Sequence, residues 1–315
     1  MIVVTGGAGF IGGQIVAGLN KLGREDIVVV DDLTDGKKFK NLVANKIADY
    51  FDKAEFRKLI QERDSRCDQI EVIFHQGACS TTTEWDGGYM MDNNYSYSKE
   101  LLHFCLEHEL PFIYASSAAV YGINSEFIED PKHEKPINIY GYSKLLFDNY
   151  IRNIKSKINS QIVGLRYFNV YGFGEAHKKN MASVIYHFNN QLNETGSLKL
   201  FQGSHGCLDG EQSRDFIFVD DVVSINLWFM NQPDISGIFN IGTGNPCSFN
   251  SVADAVIDWH KKGEKKYIPF PDSLKESYQS FTEANVFKLR SIGYDKKFTS
   301  LNDGVNSYLD MLNKN

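Results

Sequence analysis

Tyr140 and Lys144 stand four positions apart and could carry out chemistry together. On a helix, residues four apart lie on one face, so the phenol and the ammonium group are expected to point in the same direction. A cation beside a phenol favours the ionised form and lowers the pKa of the phenol towards neutrality. The spacing therefore predicts that Tyr140 shuttles a proton at an alcohol carbon, with Lys144 beside it.

A serine pair could serve the same carbon. Ser116 and Ser117 directly follow a predicted strand at residues 111–115. Ligands of open parallel sheets bind at the carboxyl ends of the strands, so a hydroxyl placed there can reach the substrate. We therefore expect Ser117 to form a hydrogen bond with the alcohol or carbonyl oxygen that Tyr140 serves.

A glycine-rich segment near the first residue predicts a phosphate-binding turn. Gly6, Gly9 and Gly12 lie between a β-branched run and an apolar stretch with helical periodicity. Glycines let the backbone turn tightly and approach a pyrophosphate, and the helix that follows offers unpaired N–H groups and a partial positive charge. We expect a dinucleotide here, with Lys144 bound to the nicotinamide ribose.

The end of the second predicted strand bears on the choice of dinucleotide. Asp31 follows the glycines by about 20 residues, where an acid usually binds the ribose 2′-hydroxyl and favours NAD. Lys37 and Lys38 come soon after, and either could meet a 2′-phosphate instead. The residue types alone leave NAD and NADP as alternatives.

Short β-branched runs alternate with helical stretches over the first part of the chain. The predicted strands lie at residues 2–4, 27–30, 72–74, 111–115, 162–167, 216–219 and 238–241. Such alternation is typical of βαβ units and a parallel sheet. We predict an α/β fold, a Rossmann-like doubly wound parallel sheet with a smaller, interleaved α/β domain for substrate.

The alternation weakens after about residue 169, where Gly/Asn-rich and charged stretches begin. We assign residues 1–168, about 216–245 and about 279–300 to the dinucleotide-binding domain. Residues of about 169–215, 246–278 and 301–315 are assigned to the substrate-binding domain.

Composition narrows the function classes further. The formal net charge is −7, which argues against nucleic acid as the main partner. The five cysteines form no C-x-x-C pair, so we expect neither a disulfide framework nor a metal site. The sequence contains no apolar run of membrane-spanning length and no leader-like start, and we expect a cytoplasmic protein without a membrane partner.

Four further segments complete a pattern that spans the chain. They are Phe74-His75-Gln76-Gly77-Ala78, Arg166-Tyr167-Phe168-Asn169-Val170-Tyr171-Gly172, Arg214-Asp215-Phe216-Ile217-Phe218-Val219-Asp220-Asp221 and Asn240-Ile241-Gly242-Thr243-Gly244. With the glycine turn and the Tyr140/Lys144 pair, they resemble the motifs of the extended short-chain dehydrogenase/reductase family. The resemblance implies a nucleotide-diphospho-sugar substrate, whose diphosphate would be bound by Arg214. The alternative for Arg214 is a salt bridge to a neighbouring acid.

The triplet Ser117-Ala118-Ala119 separates the activities of that family. Its sugar 4,6-dehydratases carry a Thr-Asp-Glu type of triplet here, and the acid pair drives the elimination of water. Because this chain has no acid pair, a dehydratase is disfavoured, and epimerase or reductase chemistry remains.

Several longer segments resemble the family members that epimerise an ADP-activated heptose. These segments are residues 77–80, 84–95, 97–102, 175–178 and 181–184. The resemblance implies that C6″ of ADP-D-glycero-β-D-manno-heptose is oxidised with tightly held NADP, and that the hydride returns to the opposite face. The L-glycero product would feed the inner core of bacterial lipopolysaccharide. The resemblance also implies a homo-oligomer, a pentamer.

Matching residue by residue carries over the family's contacts. The second acid/base is Lys178, for which an ordinary loop lysine is the alternative. The cofactor contacts are Gly6, Gly9, Phe10, Ile11, Gly12, Asp31, Asp32, Lys38, Lys53, Gln76, Gly77, Ala78, Cys79, Ser80, Asn93, Lys144, Val170 and Lys178. The substrate contacts are Ser117, Asn169, Asn180, His187, Phe201, Gln202, Gly203, Ser204, Arg214 and Tyr278.

The sequence departs from the family pattern at or beside some of these contacts. Asn180 stands where serine is usual, Asp32 replaces a usual asparagine, and the connection at residues 205–213 is longer than usual. Two other functions remain open, a UDP-hexose 4-epimerase and a non-catalytic NADP-sensing protein. The second typically lacks the Tyr/Lys pair, and here both residues are present.

Overall fold

The computed structural model describes residues 1–154, 159–204, 206–272 and 278–314. The strands are β1 (Ile2–Thr5), β2 (Ile27–Asp31), β3 (Asp49–Asp52), β4 (Val72–His75), β5 (Phe112–Ser117), β6 (Ile162–Tyr167), β7 (Asn169–Tyr171), β8 (Ser197–Phe201), β9 (Ser213–Arg214), β10 (Phe216–Phe218), β11 (Gly237–Ile241), β12 (Cys247–Ser248) and β13 (Glu264–Ile268). The helices are α1 (Phe10–Lys21), α2 (Lys53–Glu62), α3 (Gly87–Met91), α4 (Tyr97–Glu107), α5 (Ile139–Ile154), α6 (Val184–Thr195), α7 (Val219–Met230), α8 (Phe249–His260), α9 (Phe287–Ser291) and α10 (Leu301–Asn313).

Seven parallel strands form the central sheet in the order β11-β6-β5-β4-β1-β2-β3. The chain runs outward from β1 to β3 and then returns to β4 on the other side of β1. The topological switch therefore lies between β1 and β4, where ligands of open α/β sheets bind. Every residue of β1 and β2 is buried, as expected of strands covered by helices on both faces. This arrangement confirms the predicted doubly wound parallel sheet.

Several strands depart from the prediction, because β3, β7, β8, β9, β12 and β13 were not predicted and β10 is shorter than predicted. Edge strand β3 is polar and half exposed, so its short pattern gave no strand signal. The strand predicted at residues 216–219 ends at Phe218, because Val219 begins α7. That strand, β10, pairs in parallel with β7 outside the central sheet.

Each face of the sheet packs against its own hydrophobic cluster. On one face α1 and α7 contribute Ile15, Leu19 and Phe229. These two helices approach closely, since a Cβ at Gly18 would lie 2.5 Å from Val223 Cγ1. On the other face, α2, α4 and α5 pack through residues that include Phe56 and Phe147.

A third cluster lies under the small sheets β8/β13 and β7/β10. It gathers side chains of α6, α8 and α10, including Phe188, Val252 and Tyr308. Strand β10 contributes to two clusters, because Ile217 packs with the first and Phe216 and Phe218 pack with the third. The division into two domains stays a prediction. None of the helices in the described part of the chain has both the length and the apolar composition needed to cross a membrane.

Candidate active site

The glycine turn brings the start of α1 against the end of β4. Gly6 has a φ of +67°, and a Cβ there would lie 2.6 Å from the Gly77 nitrogen. A Cβ at Gly12 would overlap the Gly6 oxygen. No side chain caps the first turn of α1, and no acid lies in it. Its N–H groups and partial positive charge are therefore available to an anion such as a pyrophosphate.

A cleft of about 600 Å³ opens from this turn along the carboxyl ends of the strands. It is lined by most of the predicted cofactor and catalytic residues. These are Gly6, Gly9, Phe10, Ile11, Gly12, Asp31, Lys38, Gln76, Gly77, Ala78, Cys79, Ser80, Ser117, Tyr140, Lys144, Asn169, Val170 and Lys178. The structure thus brings together residues from distant parts of the sequence at the topological switch point.

A smaller pocket of about 110 Å³ adjoins the cleft beyond Asp31. Asp32, Lys53 and Asn93, the remaining predicted cofactor contacts, line it. The Lys53 ammonium donates to Asn93 Oδ1 at 2.6 Å. All of the predicted cofactor residues therefore line one of two connected cavities.

The Asp31 carboxylate accepts three hydrogen bonds. Its Oδ2 accepts the Ala8 N–H at 2.8 Å, and its Oδ1 accepts the Asp32 N–H at 2.7 Å and the Lys38 ammonium at 2.9 Å. Lys38 is thereby held over this end of the cleft. The carboxylate of Asp32 is turned back to its own loop, where it accepts hydrogen bonds from Thr34.

Tyr140, Ser117 and Lys144 all line the cleft. Tyr140 and Lys144 lie one turn apart on α5, as predicted, and Ser117 ends β5. The Ser117 hydroxyl lies near the Tyr140 phenol, and it accepts the Ala119 N–H at 3.1 Å. The Lys144 ammonium donates to the Ala115 oxygen at 2.8 Å. The cleft therefore holds a hydroxyl, a phenol and an amine.

The expected effect of Lys144 on the Tyr140 phenol is wrong. Burial raises the pKa of Tyr140, and the nearby Ser117 hydroxyl opposes that rise. Burial also lowers the pKa of Lys144 to about 8, although the nearby Asp148 carboxylate works against it. Loss of hydration dominates here because both groups lie deep at the base of the cleft.

A buried network of ion pairs and hydrogen bonds joins α5 to the neighbouring strands. The Arg166 guanidinium, which is fully buried, donates to Asp148 at 2.8 Å and to Glu134 at 2.6 Å. Ser116 and Tyr114 also donate to the Asp148 carboxylate. Asp148 lies one turn beyond Lys144, so the network fixes the helix that carries the Tyr/Lys pair to strands β5 and β6.

Lys178 lines the same cleft. It lies in a 3-10 helix (Ala176–Met181), and its ammonium is 5.5 Å from the centre of the Phe10 ring. Burial lowers its pKa, and the charge of Glu175 opposes this effect. The position differs from that of a solvated loop lysine.

Arg214 lies beside the cleft in a cluster of aromatic rings. It is 8% exposed, and its guanidinium carbon is 4.9 Å from the Tyr278 ring centre and 5.7 Å from that of Phe249. Among the described residues, no carboxylate forms a salt bridge with it, which disfavours the alternative of a structural ion pair. Thr282 joins this cluster to the cleft through hydrogen bonds with Ser213 and Asp215.

Eight predicted substrate contacts lie outside both cavities, and their contact with substrate stays a prediction. They are Asn180, His187, Phe201, Gln202, Gly203, Ser204, Arg214 and Tyr278. Asn180 is exposed at the end of the Lys178 turn, whereas His187 lies on α6 with its ring against Tyr186. The long connection is described from residue 206 onward, and residue 205 lies outside the described residues.

Several residues that build the site gave no sequence signal. The Asn94 amide bridges the Cys79 main chain and the Ser143 hydroxyl, so it ties the cofactor loop to α5. The Asn41 amide donates to the Ala8 and Gly174 oxygens and ties the glycine turn to the Lys178 turn. Such bridges depend on tertiary neighbours, which residue spacing does not reveal.

Residues 2–242 match the sequence model of a known family, the NAD dependent epimerase/dehydratase family. The chain belongs to this family. The ADP-L-glycero-D-manno-heptose-6-epimerase of Alkalilimnicola ehrlichii is 56% identical over 310 residues, which span 98% of this chain and 97% of that protein. The predicted resemblance to nucleotide-sugar epimerases is thereby confirmed.

Solved structures of family members share the whole fold. The ADP-L-glycero-D-manno-heptose-6-epimerase of Helicobacter pylori is 29% identical, with a TM-score of 0.85 over 99% of this chain and 96% of that one. The UDP-glucose 4-epimerase of Thermus thermophilus, solved with NAD, is 25% identical, with a TM-score of 0.77 over 99% of each chain. This family of enzymes is NAD-dependent, which agrees with the cavities described above.

Proposed function

We propose that this protein epimerises ADP-D-glycero-β-D-manno-heptose at C6″ to the L-glycero isomer by transient oxidation and re-reduction. The observation that carries the proposal is the presence of two proton carriers, Tyr140 and Lys178, in one cleft. Inversion at an alcohol carbon needs proton transfer in two orientations of the substrate. The 56% identity to a relative named for this reaction supports the choice of sugar.

The cleft fits a nicotinamide dinucleotide on three grounds. A side chain at Gly6 or Gly12 would collide with the turn, the start of α1 has free N–H groups, and Lys144 lies at the far end. When bound, the nicotinamide accepts a hydride from C6″ and returns it to the other face. Lys144 holds the ribose, and the glycine turn holds the pyrophosphate.

Tyr140 serves the C6″ oxygen in one orientation. Its phenolate takes the hydroxyl proton as the carbonyl forms and so becomes the phenol, while the Ser117 hydroxyl donates to the same oxygen. Burial raises the pKa of Tyr140, and the nearby Ser117 hydroxyl opposes that rise.

Lys178 serves the oxygen after the carbonyl intermediate has turned. Its ammonium group donates a proton to C6″–O when the hydride arrives at the opposite face, and the neutral amine remains. A solvated lysine is almost fully protonated at neutral pH, whereas burial lowers the pKa of Lys178 and increases its neutral fraction. Lys178 can therefore exchange protons in both directions of the reaction.

Arg214 binds the diphosphate of the nucleotide-sugar in this proposal. A buried guanidinium without a described carboxylate partner favours an anion, and phosphate suits its planar fork of donors. Tyr278, stacked on the guanidinium, restricts its orientation. The ring can also cover the nucleotide.

We propose NADP as the cofactor, with NAD as the alternative. Lys38 and Lys53 both line the small pocket beside Asp31, where the 2′-position of the adenosine ribose falls in this fold. Asp31 is neutralised by Lys38 and two backbone donors, and Asp32 is bound to Thr34, so the two acids repel a 2′-phosphate less than their number suggests.

The test is direct turnover of both candidate sugars. Purified protein is incubated separately with ADP-D-glycero-β-D-manno-heptose and with UDP-galactose, and the products are resolved by NMR. Epimerisation of the heptose at C6″ is expected, with no solvent deuterium at C6″ in D₂O, because the hydride stays within the complex. Turnover of UDP-galactose alone would overturn the proposal. Mass spectrometry of the nucleotide released on denaturation distinguishes NADP from NAD.

The role in lipopolysaccharide synthesis, the cytoplasmic location and the pentameric assembly are further parts of the proposal. They rest on the resemblance to the heptose epimerases. Sedimentation of the purified protein tests the assembly.

A further inference from the structure

Glu175 is a fully buried carboxylate to which the proposed mechanism assigns no role. It is 0% exposed, and its oxygens accept the Ser183 N–H at 2.5 Å and the Ser183 hydroxyl at 2.6 Å. The Gly172 N–H approaches it at 3.4 Å, and the Tyr308 hydroxyl of α10 lies near it. A buried carboxylate is costly unless it is paired, so this set of donors indicates a specific role.

These contacts close the turn that carries Lys178. Gly172 precedes the turn and Ser183 follows it, and the Ser183 hydroxyl also accepts the Tyr186 N–H at the start of α6. The Glu175 carboxylate thus joins the two ends of the turn, while its main-chain oxygen accepts the Lys178 N–H at 2.9 Å. Glu175 therefore contacts both ends of this turn through its side chain and the middle of the turn through its main chain.

The backbone of the turn is strained next to Lys178. Lys179 has a φ of +51° and a ψ of −123°, a conformation that residues with a Cβ seldom adopt. Such conformations cost about 1–3 kcal/mol and persist where the surroundings impose them. The break separates Lys178, which lines the cleft, from Lys179, which is exposed.

We propose that Glu175 is a positioning residue that fastens this turn, holds the Lys178 amine at the cleft and provides its counter-charge. The inference deepens the proposed function and rests on it for the catalytic use of Lys178. The alternative is that Glu175 only stabilises the fold. Its carboxylate would then be replaceable by any group that accepts the Ser183 hydrogen bonds.

The charged groups around Lys178 allow a positioning role of Glu175 to be distinguished from a purely structural role. Glu175 is the opposite charge that acts on it, and the His177 imidazole lies close by with Lys38 and Asp31 near it. On the other side, Tyr308 and Tyr186 are the titratable neighbours of Glu175. Removal of the Glu175 charge therefore leaves the Lys178 amine with no described carboxylate acting on it, and its pKa should fall.

The experiment measures the protonation of Lys178 without using turnover. Wild-type holoenzyme, Glu175→Gln and Glu175→Asp are labelled with trace acetic anhydride from pH 6 to 11, and acetylation of Lys178 and Lys179 is quantified by mass spectrometry. Glutamine keeps the shape and an acceptor oxygen but removes the charge. We expect the labelling midpoint of Lys178 to fall by about 1 pH unit in Glu175→Gln and to be largely restored in Glu175→Asp. The midpoint of exposed Lys179 should not change.

Epimerisation assays on the same proteins separate this inference from the proposed function. Glu175→Gln should lower kcat by about tenfold or more with little change in the KM for ADP-heptose, whereas the control Lys179→Ala should match the parent. An unchanged Lys178 midpoint in folded Glu175→Gln overturns the inference. A shifted midpoint with parental kcat supports the pairing but overturns the catalytic use of Lys178.

A second variant covers the case in which Glu175→Gln does not fold. Ser183→Ala removes one donor from the carboxylate but keeps the charge. We expect faster labelling of Lys178 at high pH, because the turn loosens, with an unchanged midpoint and a lower kcat. Labelling and kcat equal to those of the parent would overturn the positioning role.

Discussion

The Lys144 ammonium donates to the Ala115 oxygen at 2.8 Å, and this bond pins the amine of α5 to the end of β5. Lys144 is 5% exposed, so the protein holds a charge that has lost most of its hydration. Ser117 lies two residues beyond Ala115 on the same strand. The bond therefore sets the position of the amine relative to the Ser117 hydroxyl, which lines the cleft.

The first prediction concerns the cost of burying Lys144. Its pKa of about 8 is below the ordinary lysine value of 10.5. The unfolded chain therefore binds the additional proton between these values, and stability should rise as the pH increases from about 8 to 10.5. Below pH 8 the full cost of the charge applies, and a shift of this size corresponds to about 3 kcal/mol.

Lys144→Met should accordingly be more stable than the parent at pH 7, by about 1–2 kcal/mol, while binding cofactor more weakly. Urea unfolding of cofactor-free proteins at pH 7 and pH 9.5 measures the difference, which should shrink at the higher pH. A variant less stable than the parent at pH 7 would contradict the prediction.

The second prediction concerns Tyr140. Tyr140→Phe keeps the ring but removes the proton carrier, so turnover should fall by at least about 10²-fold, the size of a general acid/base contribution. Product formation from ADP-heptose is measured beside thermal melting, which should stay close to that of the parent. Tyr142→Phe, an exposed tyrosine on the same helix, is the matched control. Turnover of Tyr140→Phe near the parental value would remove Tyr140 from the chemistry.

The parts of this site that were predictable from the sequence are those set by local spacing. The glycine turn and the Tyr140/Lys144 pair each lie within one loop or helix, so their geometry follows from the sequence intervals. The pKa of Tyr140 was mispredicted because the depth of the cleft is a property of the whole fold. The roles of Asn94 and Glu175 do not follow from residue spacing, because they depend on how a loop and a turn fold around these side chains. Edge strand β3 was not predicted because its composition is polar, and its pairing with β2 compensates for that composition.

The third prediction addresses the choice of dinucleotide. Lys38→Ala should weaken NADP binding by about 1.5–3 kcal/mol, as expected for a charged hydrogen bond to phosphate, and should change NAD binding much less. Calorimetry with both nucleotides measures the two affinities. Lys37→Ala is the matched control, because Lys37 is the exposed neighbour and lines neither cavity. Equal losses for NADP and NAD would place the 2′-phosphate elsewhere.

The fourth prediction concerns the Arg214 guanidinium. Arg214→Ala should weaken nucleotide-sugar binding by about 1.5–3 kcal/mol. Arg214→Lys should restore only part of this, since an ammonium cannot reproduce the planar fork or its stacking on Tyr278. Calorimetry with ADP-mannose, which cannot be epimerised at C6″, isolates binding from turnover. If all three proteins bind ADP-mannose equally, the diphosphate does not lie at Arg214.

The last prediction concerns Lys178, where an ordinary lysine and a second acid/base differ most. Removal of a solvated loop lysine should change stability by no more than about 0.5 kcal/mol and have little kinetic effect. In the proposed mechanism, Tyr140 alone cannot serve a substrate that has turned about its reacting bond. Lys178, which lines the same cleft near Phe10, would serve the second orientation. Lys178→Met should therefore keep the fold and the bound cofactor but slow epimerisation by about 10²-fold or more.

A double mutant sharpens this prediction. Because Tyr140 and Lys178 serve one catalytic cycle, Tyr140→Phe combined with Lys178→Met should lose much less than the product of the two single losses. Product formation is measured from each C6″ epimer, alongside thermal melting, with Lys179→Met as the control one residue away. If Lys178→Met turns over both epimers like the parent, a single residue handles both proton transfers and the two-base mechanism is wrong.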